Sequence, residues 1–235
     1  MSSPTKRQAV DAAAASATTA ATTTAATTAA DAPGRGAESP EADAARGGVP
    51  AAWGANIERV LFSEAQLQRR VAELGAEISA AYQAGDEVVV VAMLTGAVVF
   101  MTDLVRRLTV PHVLDFMVAS SYRGTQSTGV VEIKLAPKTP LAGRHVLIVE
   151  DIVDSGATLT RLREHLVTER CASVKVACLL DKKAGRLESH AAVAVDFVGF
   201  TCPDAFVVGY GLDFDQHYRG LPFIGVLKPS AYGAG

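Results

Sequence analysis

The segment that decides the fold is His145-Val146-Leu147-Ile148-Val149-Glu150-Asp151-Ile152-Val153-Asp154-Ser155-Gly156-Ala157-Thr158. It begins with a short apolar run, which is typical of a central strand in a parallel sheet. Two adjacent carboxylates, Glu150 and Asp151, follow this run, and a third, Asp154, opens a turn of small residues. Apolar residues at helical spacing come next and predict a helix with one buried face: Leu159, Leu162, Leu166 and Val167.

A turn of this composition between a strand and a helix predicts an anion-binding site. Unpaired backbone N–H groups and the positive end of the helix dipole both point at such a turn. The carboxylates beside it would repel a phosphate unless the ligand also carried hydroxyl groups or a bound cation. A phosphorylated ribose with bound magnesium offers both. The competing interpretation is a set of solvated carboxylates at a strand end, which the long matching context disfavours.

The segment resembles the signature of the type I phosphoribosyltransferases, which bind 5-phosphoribosyl 1-diphosphate (PRPP). From about Arg59 to Leu227 the chain is similar to the hypoxanthine-guanine phosphoribosyltransferases, and other segments match that family in the expected order. Residues 94–97 resemble the diphosphate-binding turn of that family, and residues 120–129 resemble its mobile active-site loop. The resemblance is made specific for 6-oxopurines by residues 179–183, 196–200, 206–213 and Arg219.

Strands and helices alternate along this part of the chain. One helix is expected to begin after Ser63, end at Gly85 and bury the stripe Leu67, Val71, Leu74, Ile78 and Tyr82. A second helix is expected from Val98 to Leu108. Strands are expected at 88–93, 113–119, 130–135, 174–180, 194–200 and 206–208. This alternation predicts an α/β fold with a mainly parallel sheet, whose ligands bind at the carboxyl ends of its strands. The resemblance implies the type I phosphoribosyltransferase fold, in which helices flank the central sheet and a small hood covers the active site.

The length and composition predict one globular domain with an appendage. The chain has 235 residues, of which 49% are hydrophobic and 20% charged. Residues 1–50 are rich in Ala and Thr, then in Gly and Pro, with almost nothing large and apolar. We therefore expect a disordered tail at 1–50 and a phosphoribosyltransferase domain at 51–235. A transit peptide is the alternative for the tail, but acidic residues such as Asp11 and Asp31 disfavour it.

The composition also limits partners and location. A net charge of −3 gives no general attraction to nucleic acid or anionic membranes, and no apolar run is long enough to span a bilayer. The three cysteines, Cys171, Cys178 and Cys202, form no Cys-x-x-Cys pair, which favours buried thiols in a reducing compartment, the cytoplasm, over disulfides or zinc. The five histidines show no ligand spacing and are assigned no catalytic role.

The resemblance implies a role for each site residue. Asp154 is expected to be the general base near purine N7, and Glu150 and Asp151 to hold the ribose hydroxyls and Mg²⁺. The other PRPP ligands implied are Thr95, Gly96, Ser121, Tyr122, Ser155, Gly156, Ala157, Thr158 and Arg219. The purine ligands implied are Lys182 at O6, Phe206 by stacking, Val207 through its backbone, and Asp213, which is also expected to bind a second Mg²⁺. The implied substrates are PRPP with hypoxanthine or guanine, diphosphate is released, and the implied assembly is a homodimer or homotetramer.

Two positions depart from the family's pattern. Thr95 stands where relatives commonly carry Lys or Arg, so the diphosphate turn lacks that positive charge. The family has a non-proline cis peptide bond at this turn, and we expect Thr95-Gly96 to adopt it. Ala157 stands where relatives often carry Lys, with little expected effect because the backbone makes the phosphate contacts.

Other functions are compatible with the same signature. Uracil, orotate and adenine are disfavoured as acceptors by Lys182, Phe206, Val207 and Asp213, since a lysine donor would face the adenine amino group. Xanthine stays open because it differs from guanine only at position 2, and hypoxanthine is not ranked against guanine. A PRPP-sensing regulator would need a DNA-binding element or a basic face. The tail cannot form the former, and paired bases such as Arg69-Arg70 indicate solvated helix faces.

Overall fold

The computed structural model describes residues 50–121, 131–186 and 193–233. The expected disordered tail, apart from its last residue, and Tyr122 of the active-site loop lie outside these ranges. The helices are α1 Ala51–Ala55, α2 Glu64–Ala80, α3 Val98–Val105, α4 Ala157–Thr168 and α5 Pro229–Tyr232, with a 3-10 turn at Lys183–Gly185. The strands are β1 Ile57–Phe62, β2 Val88–Met93, β3 His112–Ser121, β4 Val131–Leu135, β5 His145–Val153, β6 Ser173–Asp181, β7 Phe197–Thr201, β8 Val207–Val208 and β9 Ile224–Leu227.

The main sheet has six strands in the order β4-β3-β2-β5-β6-β7. All neighbouring pairs are parallel except β3 and β4, which are antiparallel. Strand β2 is buried along its whole length, as an apolar run in the middle of a parallel sheet requires. Helix α2 packs on α3 and β7, and α4 packs on β3 and β4. The predicted α/β architecture, a mainly parallel sheet with flanking helices, is confirmed.

A second sheet of three strands, in the order β1-β9-β8, forms the small hood that the resemblance implied. Its strands pair antiparallel, with Ile57 opposite Leu227 and Val207 opposite Val226. It has its own apolar cluster, built from Ile57, Val208, Tyr218, Leu221, Phe223 and Leu227. The sequence analysis predicted β8 but missed β1 and β9. In β1 the exposed Glu58 and Arg59 interrupt the alternation by which strands are recognised.

Helix α2 begins as predicted and ends earlier. The Ser63 hydroxyl accepts from the Gln66 N–H, and the Gln66 side chain accepts from the Ser63 N–H at 2.9 Å, so the capping box is complete. The helix ends at Ala80, and Tyr82, which the prediction counted as part of the buried stripe, lies beyond its end. The predicted stop, Gly85, belongs to the following turn, where its φ is +96°.

Other boundaries also differ from the prediction. Val167 was assigned to the buried face of α4 but is 76% exposed, because Leu159, Leu162 and Leu166 already cover that face. Strand β5 does not stop before the carboxylates: it runs to Val153, because pairing with β6 continues that far. Strand β7 begins at Phe197, not at 194, and α3 ends at Val105, before Leu108.

The three cysteines carry free thiols. Cys178 and Cys202 are buried, as predicted, whereas Cys171 is only partly buried. Within the part of the chain that the structure describes, no helix is long and apolar enough to cross a bilayer.

Candidate active site

The predicted anion site lies between β5 and α4. Gly156 precedes the first residue of α4 and has a φ of +81°, a left-handed conformation that glycine adopts without a side-chain clash. The first turn of this 12-residue helix directs its unpaired N–H groups at the preceding loop. A small cavity of about 100 Å³ opens there, lined by Glu150, Ile152, Val153, Asp154, Ser155, Gly156, Thr158 and Leu159. The loop and two of the three predicted carboxylates, Glu150 and Asp154, therefore line one pocket, whereas Asp151 lies against Gly96.

Glu150 and Asp151 lie at the carboxyl end of β5 with little hydration. Glu150 Oε2 is buried and has no hydrogen-bond partner among the described residues. Burial raises the pKa of Glu150 well above its usual range, and the neighbouring Asp151 adds to this. Burial also raises the pKa of Asp151, although the Ile152 N–H donates to its Oδ1 at 2.8 Å. Within the described residues neither carboxylate forms a salt bridge, and two poorly solvated carboxylates favour a bound cation or hydroxyl groups.

Asp154 follows the same strand and is much more accessible, with 53% of its side chain exposed. The Lys182 ammonium lies 4.0 Å from Asp154 Oδ2 and 3.0 Å from Asp204 Oδ1. The backbone N–H of Lys182 donates to the Val153 carbonyl at 3.0 Å, which holds the ends of β5 and β6 together. The hydrogen bond to Asp204, and then the charge of Asp154, raise the pKa of Lys182 against the opposing effect of burial. The predicted base and the predicted O6 donor are thus neighbours.

Gly185 is a site residue that the sequence analysis missed. A Cβ at this position would overlap Asp154 Oδ1, so the 3-10 turn after β6 forms a surface against which the carboxylate lies. Gly185 has no positive φ, and the sequence offers no local signal of this contact.

The predicted stacking residue, Phe206, lies next to β8 and is 37% exposed. Its ring is stacked on Tyr232 of α5, with centroids 4.8 Å apart and an interplanar angle of 21°, and the edge of Phe214 meets it at 5.5 Å. The Phe206 carbonyl accepts from the Leu227 N–H at 2.9 Å, and Val207 pairs with β9. Tyr232 was not predicted from the sequence. The hood therefore presents an aromatic wall fixed by the last strand and helix.

The turn at 94–97 contains a non-proline cis peptide bond between Leu94 and Thr95. The expected cis bond is thus present but lies one bond before the Thr95-Gly96 position assigned to it. A Cβ at Gly96 would overlap Asp151 Oδ2, and one at Gly211 would overlap the Gly96 carbonyl. These close contacts bring the turn, the end of β5 and the hood loop together, as a diphosphate site between them requires.

Asp213 and Arg219 lie in the hood loops and are paired, with Arg219 Nη2 2.9 Å from Asp213 Oδ1. Arg219 Nη1 also donates to the Gly211 carbonyl at 2.8 Å, and Asp213 Oδ2 accepts from the Gln216 N–H at 2.9 Å. Both charges act on the pKa of Asp151, which Arg219 lowers and Asp213 raises. Asp213 and Arg219 therefore lie close enough to Asp151 to act on its charge. Ser121 is the last residue of β3, and Tyr122 lies outside the described residues.

The proposed metal ligands Glu150, Asp151 and Asp213 do not form a closed cage. Across residues 50–121, 131–186 and 193–233, no three His, Cys, Asp or Glu side chains converge as a metal-binding group. Magnesium is usually held by one or two carboxylates together with substrate oxygens and water, so it does not require such a group.

Comparison with known proteins agrees with this geometry. A model of the phosphoribosyl transferase domain family matches residues 61–215. The chain belongs to the phosphoribosyltransferase family. This phosphoribosyltransferase is 47% identical over 178 residues to the hypoxanthine-guanine phosphoribosyltransferase of Bacillus subtilis, covering 75% of this chain and 97% of that protein. It is 48% identical to the bifunctional protein TilS/HprT of Listeria innocua, where the match spans 75% of this chain but only 27% of the longer relative.

Solved structures give the same result. A crystal structure of a hypoxanthine phosphoribosyltransferase from Staphylococcus aureus is 40% identical, with a TM-score of 0.73, covering 77% of this chain and 97% of that one. The resemblance to the hypoxanthine-guanine group and the type I fold are therefore confirmed. The roles of the individual residues stay predictions.

Proposed function

We propose that this phosphoribosyltransferase transfers the 5-phosphoribosyl group of PRPP to N9 of hypoxanthine or guanine, yielding IMP or GMP and diphosphate. The observation that carries the proposal is the Lys182 ammonium 4.0 Å from the Asp154 carboxylate, beside the anion loop. In a 6-oxopurine, O6 and N7 are neighbouring positions. A donor and a carboxylate at this separation can bind the oxygen and accept the N7 proton of the same base.

The transfer replaces one bond to the anomeric carbon of ribose with another. The bond from C1′ to the diphosphate oxygen breaks, the N9 lone pair forms a bond to C1′, and the proton on N7 leaves the base. Asp154 would take up this proton, a contribution typically worth about 10²–10⁴-fold in rate. Its exposure and its place at the end of β5 support this role.

The other residues of the site would hold PRPP in place. Backbone N–H groups at 155–158 would bind the 5-phosphate at the start of α4, where the helix dipole favours an anion. Glu150 and Asp151 would accept hydrogen bonds from the ribose hydroxyls. Arg219 and the Gly96 backbone would bind the leaving diphosphate.

Magnesium fits the carboxylates of this pocket. The buried, unpartnered Glu150 Oε2 and the poorly solvated Asp151 are hard oxygen donors in need of a cation, and Asp213 offers a third at a distance. Held by Glu150 and Asp151, magnesium would supply positive charge that offsets the charge of the leaving diphosphate.

Selection of the base would depend on Lys182 and the hood. The ammonium can donate to O6 but meets a like donor in the amino group of adenine, and a site built for one hydrogen-bonding pattern strongly rejects the other. Phe206 would stack on the ring, and the Val207 backbone would contact the edge that carries position 2. Xanthine is the second candidate acceptor, since only that edge separates it from guanine.

The test is a base panel with purified full-length protein, PRPP and Mg²⁺. Hypoxanthine, guanine, xanthine, adenine and uracil are assayed separately for nucleotide formation. We expect hypoxanthine or guanine to be used far better than adenine or uracil, and omission of Mg²⁺ to abolish turnover. Preference for xanthine would establish the second candidate. Inactivity with every base, together with a salt-dependent shift of nucleic acid, would favour a regulator.

We also propose a homodimer or homotetramer and a cytoplasmic location. The first is supported by exposed apolar side chains at the β3–β4 edge, Leu114, Phe116 and Leu135, and light scattering would measure it. Free thiols at all three cysteines support a reducing compartment.

A further inference from the structure

Two carboxylates lie within 4.0 Å of the Lys182 ammonium. It lies 3.0 Å from Asp204 Oδ1 and 4.0 Å from Asp154 Oδ2, and only 16% of the lysine side chain is exposed. The closer partner, Asp204, is 76% exposed and has no role in the function proposed above. The more distant partner is the proposed base.

This arrangement follows from the order of the strands. The sheet runs β5-β6-β7, and Asp154, Lys182 and Asp204 come shortly after the carboxyl ends of these strands, at 153, 181 and 201. The lysine lies between two carboxylates because its strand lies between theirs. The Cys202 N–H donates to the Asp181 carbonyl at 2.9 Å, which fixes the loop that carries Asp204 beside the lysine.

We propose that Asp204 is a positioning residue, which holds the Lys182 ammonium where purine O6 binds and keeps it from closing onto Asp154. This inference rests on the proposed function, because only there is Asp154 the base and Lys182 the O6 donor. Asp204 contacts neither purine nor PRPP in this scheme and acts through the lysine.

Such a residue is needed because an ammonium and a carboxylate with no other partner attract each other strongly. An ammonium beside a lone carboxylate closes to a charge-assisted hydrogen bond of about 2.7–2.9 Å. At that distance Lys182 would occupy the oxygen that must receive the N7 proton. It would also favour the ionised carboxylate and so make it a weaker base. A second carboxylate in contact with the ammonium opposes both effects.

The charged groups near Lys182 also indicate that the position of its ammonium depends on Asp204 and Asp154. Among the described residues, the groups that act on its charge are Asp204, Asp154 and Cys202. Burial raises the pKa of the Cys202 thiol to about 11, so the thiol is neutral and gives the ammonium no third anionic partner. The balance is therefore between the two aspartates.

The experiment compares Asp204→Asn with Asp204→Glu in the full-length protein. In Asp204→Asn we expect kcat to fall and the KM for hypoxanthine to rise, lowering kcat/KM by about 10- to 100-fold, as for a misplaced catalytic group. The KM for PRPP should stay within about twofold, because the phosphate loop is untouched. The acid limb of the kcat/KM profile should move to lower pH as the ammonium closes onto Asp154. Asp204→Glu, which keeps the charge, should restore most of the activity.

Asp215→Asn is the matched control, since it removes the same charge from an exposed aspartate elsewhere, in a hood loop, and should leave kinetics unchanged. Thermal midpoints of all variants should agree, because Asp204 is exposed. A wild-type pH profile in Asp204→Asn, an equal change in Asp215→Asn, or a large loss of thermal midpoint would each overturn the inference. Failure of the wild-type enzyme to use 6-oxopurines would instead overturn the proposed function.

Discussion

Gly185→Ala tests whether the position of Asp154 controls the reaction. The added Cβ would overlap Asp154 Oδ1, and the three atoms nearest to this Cβ all belong to the Asp154 side chain. An ordinary van der Waals contact would require the carboxylate to move by well over an ångström. The backbone of Gly185 has no positive φ, so alanine can adopt it. The substitution therefore moves the proposed base and leaves the fold in place.

The expected magnitude follows from this displacement. A misplacement of about 1 Å can cost about 10²-fold in rate, which corresponds to about 2.7 kcal/mol of activation free energy. We expect kcat with hypoxanthine to fall by about that factor, while the KM for PRPP and the thermal midpoint change little. Gly220→Ala is the control, because a Cβ there meets nothing within 4 Å and the residue has no positive φ.

A double-mutant cycle then separates a specific effect from a general one. In the Asp154→Asn background the base is already absent, so adding Gly185→Ala should cost little more. Equal costs in the two backgrounds would mean that Gly185 does not act through Asp154. A turnover within about threefold of wild type in Gly185→Ala would refute the assigned contact or the assigned base.

Further perturbations probe other parts of the chain. Asp154→Asn should lower turnover by about 10²-fold or more with PRPP affinity nearly unchanged, and a change of only a few-fold would contradict its role as base. Lys182→Gln should weaken kcat/KM for hypoxanthine by about 1.5–3 kcal/mol and narrow the ratio between hypoxanthine and adenine; an unchanged ratio would mean that Lys182 does not contact position 6. Deletion of residues 1–48 should leave kinetics and thermal midpoint as in the full chain, and a large loss in either would mean that the tail packs on the domain. Glu150→Gln should raise the thermal midpoint of the ligand-free protein at pH 8 and not at pH 4. Because the pKa of Glu150 is raised in the folded protein, this protein keeps a proton that the unfolded chain releases. The stability of the wild-type protein therefore falls as pH rises, and glutamine removes this loss. A gain that is the same at both pH values would contradict this.

The central sheet could be predicted because its strands carry strong local signals. Strand β2 is apolar and buried throughout, and β5 begins with an equally apolar run. Strand β1 gave no such signal, because it carries two exposed charges and its partner β9 lies about 165 residues further along the chain. Val167 was placed wrongly because apolar character alone does not say which residue of a helix lies at the edge of the buried face.

The candidate site likewise contains some residues that could be predicted from the sequence and others that could not. Resemblance to a family supplied Asp154, Lys182 and Phe206, since their motifs are local. Gly185 and Tyr232 could not be predicted, because each acts through a contact with a residue from another element, Asp154 and Phe206. Such contacts exist only once the strand ends and the C-terminal helix have come together.

The hood also sets the order in which the domain can form during synthesis. A chain translated as far as Thr201 holds every strand of the main sheet and the phosphate loop, but β1 still lacks β9, which ends at Leu227. At about 5–20 residues per second, the ribosome needs roughly one to five seconds to add that stretch. During this interval the edge of β1 and the apolar side chains beneath it have no partner within the hood. A premature stop anywhere in the stretch releases a chain that carries the anion loop but never completes the aromatic wall.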